Sequence, residues 1–86
     1  MTIKKELVKR DIAGETILVP VGKTVYDSNG LYVLNELGSF LWDLLPGACD
    51  EAALLEAVLA EYEVTADVAA NDIHDFLENL RKLGIL

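Results

Sequence analysis

The chain has 86 residues, of which 52% are hydrophobic and 26% charged, and its formal net charge at pH 7 is −8. This length supports one hydrophobic core and excludes a second one. The single cysteine, Cys49, excludes an internal disulfide, and neither a signal peptide nor an apolar run of transmembrane length is present. We therefore expect a cytoplasmic protein with no membrane association.

The charges are unevenly distributed along the chain. Four of the seven basic residues lie in the first ten positions, at Lys4, Lys5, Lys9 and Arg10. Residues 50–78 hold nine acidic residues and no lysine or arginine. Most of these acids fit a solvated helix surface. Because an acidic surface repels polyanions, we do not expect nucleic acid to bind this half of the chain.

The first third of the chain predicts strands. Residues 7–12 form a mixed stretch, Ala13-Gly14 marks a turn, and residues 16–19 are a β-rich run closed by Pro20. Residues 27–30 have strong turn chemistry, and residues 31–34 form the predicted third strand. Val25 and Tyr26 could prolong a strand, which the sequence leaves open.

The remainder predicts three helices, over roughly residues 36–46, 50–62 and 65–83. Asn35 is the predicted N-cap of the first, Asp50 and Glu51 suit the start of the second, and Gly84 supplies a left-handed stop for the third. Apolar residues recur at helical spacing and are expected to face the core. They are Leu37, Phe40, Leu41, Leu44 and Leu45; Leu54, Leu55, Val58, Leu59 and Tyr62; and Ile73, Phe76, Leu77, Leu80 and Leu83.

These elements predict a single α+β domain over residues 1–86, of winged helix-turn-helix type, with a three-stranded antiparallel sheet followed by three helices. The predicted third strand is short and apolar, and it lacks the lysine or proline that usually protects a sheet edge. Gly38 lies inside the first predicted helix, where close packing against another backbone would explain it. A free edge on this strand would allow an extended peptide to pair with it.

Signals of catalysis are weak. His74 is the only histidine, and with Asp72 and Asp75 it fits an exposed helix face. Cys49 has no histidine at a useful spacing, and the glycines form no phosphate-binding loop. We expect no enzyme activity, no metal and no cofactor.

Several stretches together resemble the PqqD-like family, the small proteins of pyrroloquinoline quinone biosynthesis and their relatives known as RiPP recognition elements. They are GLYVLNELGSFLWDLLPG at residues 30–47, the helix start at Asp50-Glu51, Glu61-Tyr62-Glu63-Val64, and the ending DIHDFLENLRKLGIL. With the upstream IAGETILVPVG, the resemblance covers roughly residues 7–86. The order and spacing of these pieces, rather than any single one, make the match specific.

The resemblance implies a winged helix-turn-helix-like domain without catalysis of its own. Family members bind the leader of a ribosomally made precursor peptide as an extra strand, antiparallel to the third strand, and present it to a modifying enzyme, often a radical SAM enzyme. On this chain the resemblance implies that the strand is Leu31, Tyr32, Val33 and Leu34. It places the helical wall of the groove at Asp72, Ile73, Asp75, Phe76, Asn79 and Leu80. Since the chain ends at Leu86, we expect it to act as a stand-alone recognition element.

The sequence is also compatible with two other functions. A winged-helix DNA-binding regulator fits the fold, although the acidic second half disfavours it. A structural subunit that docks on an enzyme without contacting its peptide also fits. A homodimer through the open strand edge is a further expectation.

Overall fold

The β-hairpin at the start of the fold follows directly from local sequence. The computed structural model describes residues 1–23 and 32–86. Strands β1 (Leu7–Ile12) and β2 (Glu15–Pro20) pair antiparallel, with Ile12 opposite Glu15. Ala13 and Gly14 connect them, and their positive φ angles of 53° and 82° are typical of the type I′ turn that suits strand twist.

A third strand completes the sheet on the other side of β2. Strand β3 (Tyr32–Leu34) pairs antiparallel with β2, with Leu18 opposite Tyr32 and Thr16 opposite Leu34. The strand order is β1-β2-β3. Leu31, the turn at residues 27–30, and Val25 and Tyr26 lie outside the described residues.

Three α-helices follow within the described part of the chain: α1 (Glu36–Leu44), α2 (Glu51–Glu61) and α3 (Ala66–Lys82). Residues Leu45–Gly47 form a 3₁₀ turn after α1. A three-stranded antiparallel sheet followed by three helices confirms the predicted α+β class. No described helix has both the length and the apolar character needed to cross a membrane.

Each helix begins at a residue whose side chain caps it. The side-chain oxygen of Asn35 accepts a hydrogen bond from the Gly38 N–H at 2.7 Å, and Asp50 accepts one from the Ala53 N–H at 3.0 Å. Thr65 accepts the corresponding bond from the Val68 N–H. These bonds satisfy N–H groups that have no partner within the helix, and so they fix where each helix starts.

The end of α3 is fixed by glycine. Gly84 adopts a φ of 75°, and the Ile85 N–H donates to the Leu80 carbonyl at 2.8 Å. This is the Schellman pattern, in which a left-handed residue lets the chain turn back over the last helical turn. Ile85 is thereby fully buried.

The core lies between one face of the sheet and the helices. Leu18 of β2 is fully buried among the apolar faces of the helices. The buried cluster contains Leu18, Leu41, Trp42, Leu45, Leu54, Val58, Ala69, Ile73, Leu77, Leu80 and Ile85.

Two residues of the predicted stripes are exposed, whereas the others are buried in this core or packed against it. Leu59 is 40% exposed and Leu83 is 43% exposed. An apolar stripe on a helix is wider than the face that a small domain can cover, so residues at its margins stay accessible. Leu83 lines a groove between β3 and α3.

Candidate functional site

Strand β3 forms one edge of the sheet. It pairs with β2 on one side, and no strand among residues 1–23 and 32–86 pairs with its other side. The side chains alternate as the strand geometry requires: Tyr32 and Leu34 pack against the core, while Val33 is 64% exposed. The exposed edge therefore presents backbone groups to a partner beside an apolar surface.

Strand β1 is the opposite edge of the sheet, but it offers a different surface. It carries Lys9 and Arg10, residues of the kind that discourage strand pairing. The Lys9 ammonium is held at 2.6 Å from a carboxylate oxygen of Asp43 and at 3.0 Å from the Ser39 hydroxyl, which ties β1 to α1. The β3 edge borders a groove.

A groove of about 840 Å³ lies between β3 and α3, and we call it the β3–α3 groove. Its lining is contributed mainly by β3, the start of α1 and the second half of α3. The lining residues are Leu18, Tyr32, Val33, Leu34, Asn35, Gly38, Phe76, Asn79, Leu80, Lys82 and Leu83. Val33 and Leu83 are both exposed apolar residues, so the groove is apolar on its strand side and on its helix side.

Helix α3 runs antiparallel to β3 across this groove. Phe76, in the middle of α3, lies close to Gly38 and Leu34, at the carboxyl end of β3. The C-terminal end of α3 lies at the other end of the sheet, because the Lys4 N–H donates to the Ile85 carbonyl at 2.6 Å just before β1 begins. At that end Leu7 pairs with Pro20, beyond the pairing of Leu18 with Tyr32. The groove therefore runs from Asn35 and Phe76 to Tyr32 and Lys82.

Gly38 forms part of the floor of the groove. A methyl group at this position would lie 3.3 Å from a ring carbon of Phe76 and 3.5 Å from a methyl carbon of Leu34. The close neighbours of Gly38 are thus side chains of the groove rather than another backbone, which was the sequence-based explanation. The glycine leaves space for Phe76 to approach α1.

A smaller cavity of about 290 Å³ continues the groove beyond Phe76. It shares Asn35, Gly38, Phe76 and Asn79 with the groove and adds the carboxylates of Asp72 and Asp75. Asp72 and Asp75 therefore border the groove's extension rather than its centre.

The structure brings most of the predicted site residues together. Tyr32, Val33, Leu34, Phe76, Asn79 and Leu80 all line the β3–α3 groove. Ile73 does not, because it is only 1% exposed and sits in the core, where it lines a separate small cavity with residues of α2. Leu31 lies outside the described residues.

Five lining residues were not among the predicted site residues: Leu18, Asn35, Gly38, Lys82 and Leu83. Leu83 could have been recognised, since it follows Phe76 by seven residues and so lies on the same helix face. Asn35 and Gly38 come directly after β3 in the sequence, so a groove along β3 also contacts them. Leu18 also lines the groove, because it lies on β2 directly opposite Tyr32 of β3.

Other titratable groups lie outside the groove lining. Burial, with contributions from the carboxylates of Glu36 and Glu61, raises the pKa of Tyr62, whose ring packs edge-on against Phe40 at a centroid distance of 5.3 Å. His74 Nδ1 lies 3.8 Å from a Glu51 carboxylate oxygen. Within residues 1–23 and 32–86, no group of three or more His, Cys, Asp or Glu could hold a metal ion.

An edge strand over an apolar groove defines a class of small binding domain, one with the geometry to accept an extended peptide as an additional strand. The family model of coenzyme PQQ synthesis protein D (PqqD) matches residues 15–86, so this chain belongs to the PqqD family. The resemblance recognised in the sequence is thereby confirmed.

A solved structure supports the same assignment. The structure of TbiB1 in complex with the TbiA(beta) leader peptide is similar to this chain, with a TM-score of 0.75 and 28% sequence identity. The similarity covers 100% of this chain and 94% of TbiB1. A search of curated proteins finds no match to this chain.

Proposed function

We propose that this protein binds the leader segment of a ribosomally synthesised precursor peptide in the β3–α3 groove. The leader pairs with the open edge of β3 as an antiparallel strand, and alternate side chains enter the groove. The observation that carries this proposal is that the edge of β3, which no strand of the described residues pairs with, coincides with an apolar groove of about 840 Å³. Membership of the PqqD family and similarity to leader-bound TbiB1 support it.

In this proposal the protein performs no chemistry on the peptide. It holds the leader while a separate modifying enzyme, a radical SAM enzyme or another maturase, acts on the rest of the precursor. The likeness to a complex with a leader peptide favours this role over a DNA-binding regulator. The absence of any lysine or arginine between residues 50 and 78 argues in the same direction.

Backbone pairing alone is too weak to account for such binding. Two to four hydrogen bonds at about 0.5–1.5 kcal/mol each contribute roughly 1–6 kcal/mol. Micromolar affinity requires about 8 kcal/mol, and ordering a flexible peptide costs about 2–5 kcal/mol in addition. Apolar side chains of the leader must therefore be buried in the groove, at about 1.5–3 kcal/mol for each fully buried one.

The pairing can be tested with proline substitutions at Tyr32, Val33 and Leu34. In an antiparallel sheet, alternate residues of an edge strand direct their N–H groups away from the neighbouring strand. Proline removes that donor, so at an outward-facing position it should abolish peptide binding and preserve the fold. Isothermal titration with the N-terminal segment of a short peptide encoded beside this gene measures binding, and circular dichroism monitors folding.

Proline at Asp11 of β1 is the matched control. The pairing of Ile12 with Glu15 and the bond from the Val21 N–H to the Glu6 carbonyl place the inward-facing N–H groups at the even-numbered residues of β1, so the N–H of exposed Asp11 is directed outward. That substitution also removes a donor from an edge strand, but it leaves the groove intact. Wild-type affinity in every correctly folded β3 variant would refute strand pairing.

A homodimer through the same edge would compete with the leader. We propose that the leader displaces any such pairing, because it buries its own apolar side chains in the groove in addition to pairing its backbone. Sedimentation velocity with and without peptide distinguishes a β3-paired dimer from the 1:1 complex.

A further inference from the structure

The β3–α3 groove carries charge of opposite sign at its two ends. At the carboxyl end of β3, Asp72 and Asp75 border the extension of the groove, and Glu15 and Glu36 lie with Leu34 and Asn35 around an adjoining cavity. At the opposite end, Lys82 lines the groove. Carboxylates from the sheet, α1 and α3 therefore meet at one end of the groove, which we call the acidic end.

The other end is basic. The Lys5 side chain lies against Gly84, directly after α3, and Lys82 is in the last turn of α3. Glu6 is also in this region, against Gly22, and it is already engaged within the protein. Lys82 lines the groove at this end and Lys5 lies nearby, against Gly84, and we call this the basic end.

The charged residues on the α3 wall have no ion-pair partner within residues 1–23 and 32–86. The ion pairs in this part of the chain join Lys9 to Asp43, His74 to Glu51, and Arg81 to Glu78. Lys82, next to the paired Arg81, is left without one, as are Asp72 and Asp75. These three side chains can therefore pair with charges on a ligand without first breaking an ion pair within the described part of the chain.

We propose that the groove selects leader peptides with a basic side chain N-terminal to an acidic side chain. This rests on the proposed function. A peptide antiparallel to β3 runs in the same direction as α3, so its N-terminal part lies at the acidic end and its C-terminal part at the basic end. The order of charges then determines which peptides fit and in which direction they bind.

Helix geometry sets the expected spacing of these charges in the peptide. Asp75 and Asp72 precede Lys82 by about 10 Å and 15 Å along the helix axis, at roughly 1.5 Å per residue. A strand advances about 3.3 Å per residue, so the same distances correspond to about three to five peptide residues. We expect the basic residue to precede the acidic one by that interval, with an apolar residue between them.

The test selects binders from a phage-displayed library of random peptides about twelve residues long, with intact protein as the target. Three targets are compared: the wild type, the charge-reversed variant Asp72→Lys/Asp75→Lys/Lys82→Glu, and Glu56→Lys. Glu56 is exposed on α2 and lines none of the cavities described here, and its substitution changes the net charge by the same amount as the triple change. Circular dichroism verifies the fold of each target.

The wild type and Glu56→Lys should enrich peptides with the basic-before-acidic order, and the charge-reversed variant should enrich the opposite order. In fluorescence polarisation, exchanging the two charges in a selected peptide should weaken its binding to the wild type about three- to tenfold, as expected for exposed ion pairs. If the reversed variant does not fold, Asp72→Asn/Asp75→Asn should remove the preference for the basic residue alone.

The experiment distinguishes failure of the charge-order inference from failure of the proposed function. Enrichment of groove-binding peptides without a charge order, or with the same order for the charge-reversed variant, overturns this inference and leaves strand pairing intact. A library that yields no binder competing at β3 contradicts the proposed function, and this inference with it.

Discussion

At the scale of single residues, neighbouring side chains on α3 lie in different environments, some in the core and some in the groove. Ile73 and Leu77 are buried in the core at 1% and 0% exposure, whereas Phe76 is half-buried and turns its ring towards Gly38 and the groove. Residues three apart on a helix differ in direction by about 60°, which is enough to place one in the core and the next in the groove. Phe76 is thus the residue whose loss should separate binding from stability.

We expect Phe76→Ala to weaken leader binding at least tenfold while lowering the free energy of unfolding only modestly, since its ring is partly accessible already. Leu77→Ala, at the adjacent core position, should destabilise the protein by about 2–5 kcal/mol through loss of buried contacts. Urea denaturation and isothermal titration of both variants give the comparison. A larger loss of stability than of affinity in Phe76→Ala would place the ring in the core.

The sequence could not assign each α3 residue to the groove or to the core. Ile73, Phe76, Leu80 and Leu83 belong to one apolar stripe, and its rotation against the sheet is set by packing with β2, α1 and α2. Leu80 serves both surfaces, at 4% exposure, while Leu83 is exposed on the groove side. A one-dimensional pattern gives the width of the stripe but not its orientation in the fold.

At the scale of elements, prediction succeeded because the signals are local. The N-cap side chains accept a hydrogen bond from the N–H three residues later, at Asn35, Asp50 and Thr65. The hairpin between β1 and β2 is closed by the two turn residues Ala13 and Gly14. Such interactions depend on a few neighbouring residues and not on the rest of the fold. The cap at Asn35 starts α1 directly after β3, and this junction forms one end of the groove.

The C-terminal stop of α3 can be tested in isolation. Gly84→Ala should lower the free energy of unfolding by about 1–2 kcal/mol, because an L-residue is strained at a φ of 75°. The added methyl group would make only an ordinary contact, 3.6 Å from Lys5 Cε, so the cost comes from the backbone.

Gly47→Ala is the matched control for this change. A methyl group there meets nothing within 4 Å, and Gly47 is not among the positive-φ residues of the described chain. Urea denaturation of both variants measures the difference. Equal stability of Gly84→Ala and the wild type would show that the left-handed stop does not determine the end of α3.

At the scale of the whole molecule, the residues of the core and the groove proposed for peptide binding lie largely in different places. The core occupies one face of β2 and the inner faces of the helices, and the groove lies along the open edge of β3. The net charge of −8 comes mostly from the second half of the chain, yet Lys82, with Lys5 nearby against Gly84, gives the groove a local basic end. The overall charge therefore argues against binding of nucleic acid. The opposite charges at the two ends of the groove favour one orientation of a bound peptide.

The central claim is that a peptide pairs with β3 and rests against α3. An amide chemical-shift titration of the ¹⁵N-labelled protein with the leader peptide tests this residue by residue. We expect the largest shifts at residues 32–35 and 76–83, with small changes in β1 and α2. Unchanged amides along residues 32–34, or shifts centred on α2, would contradict it.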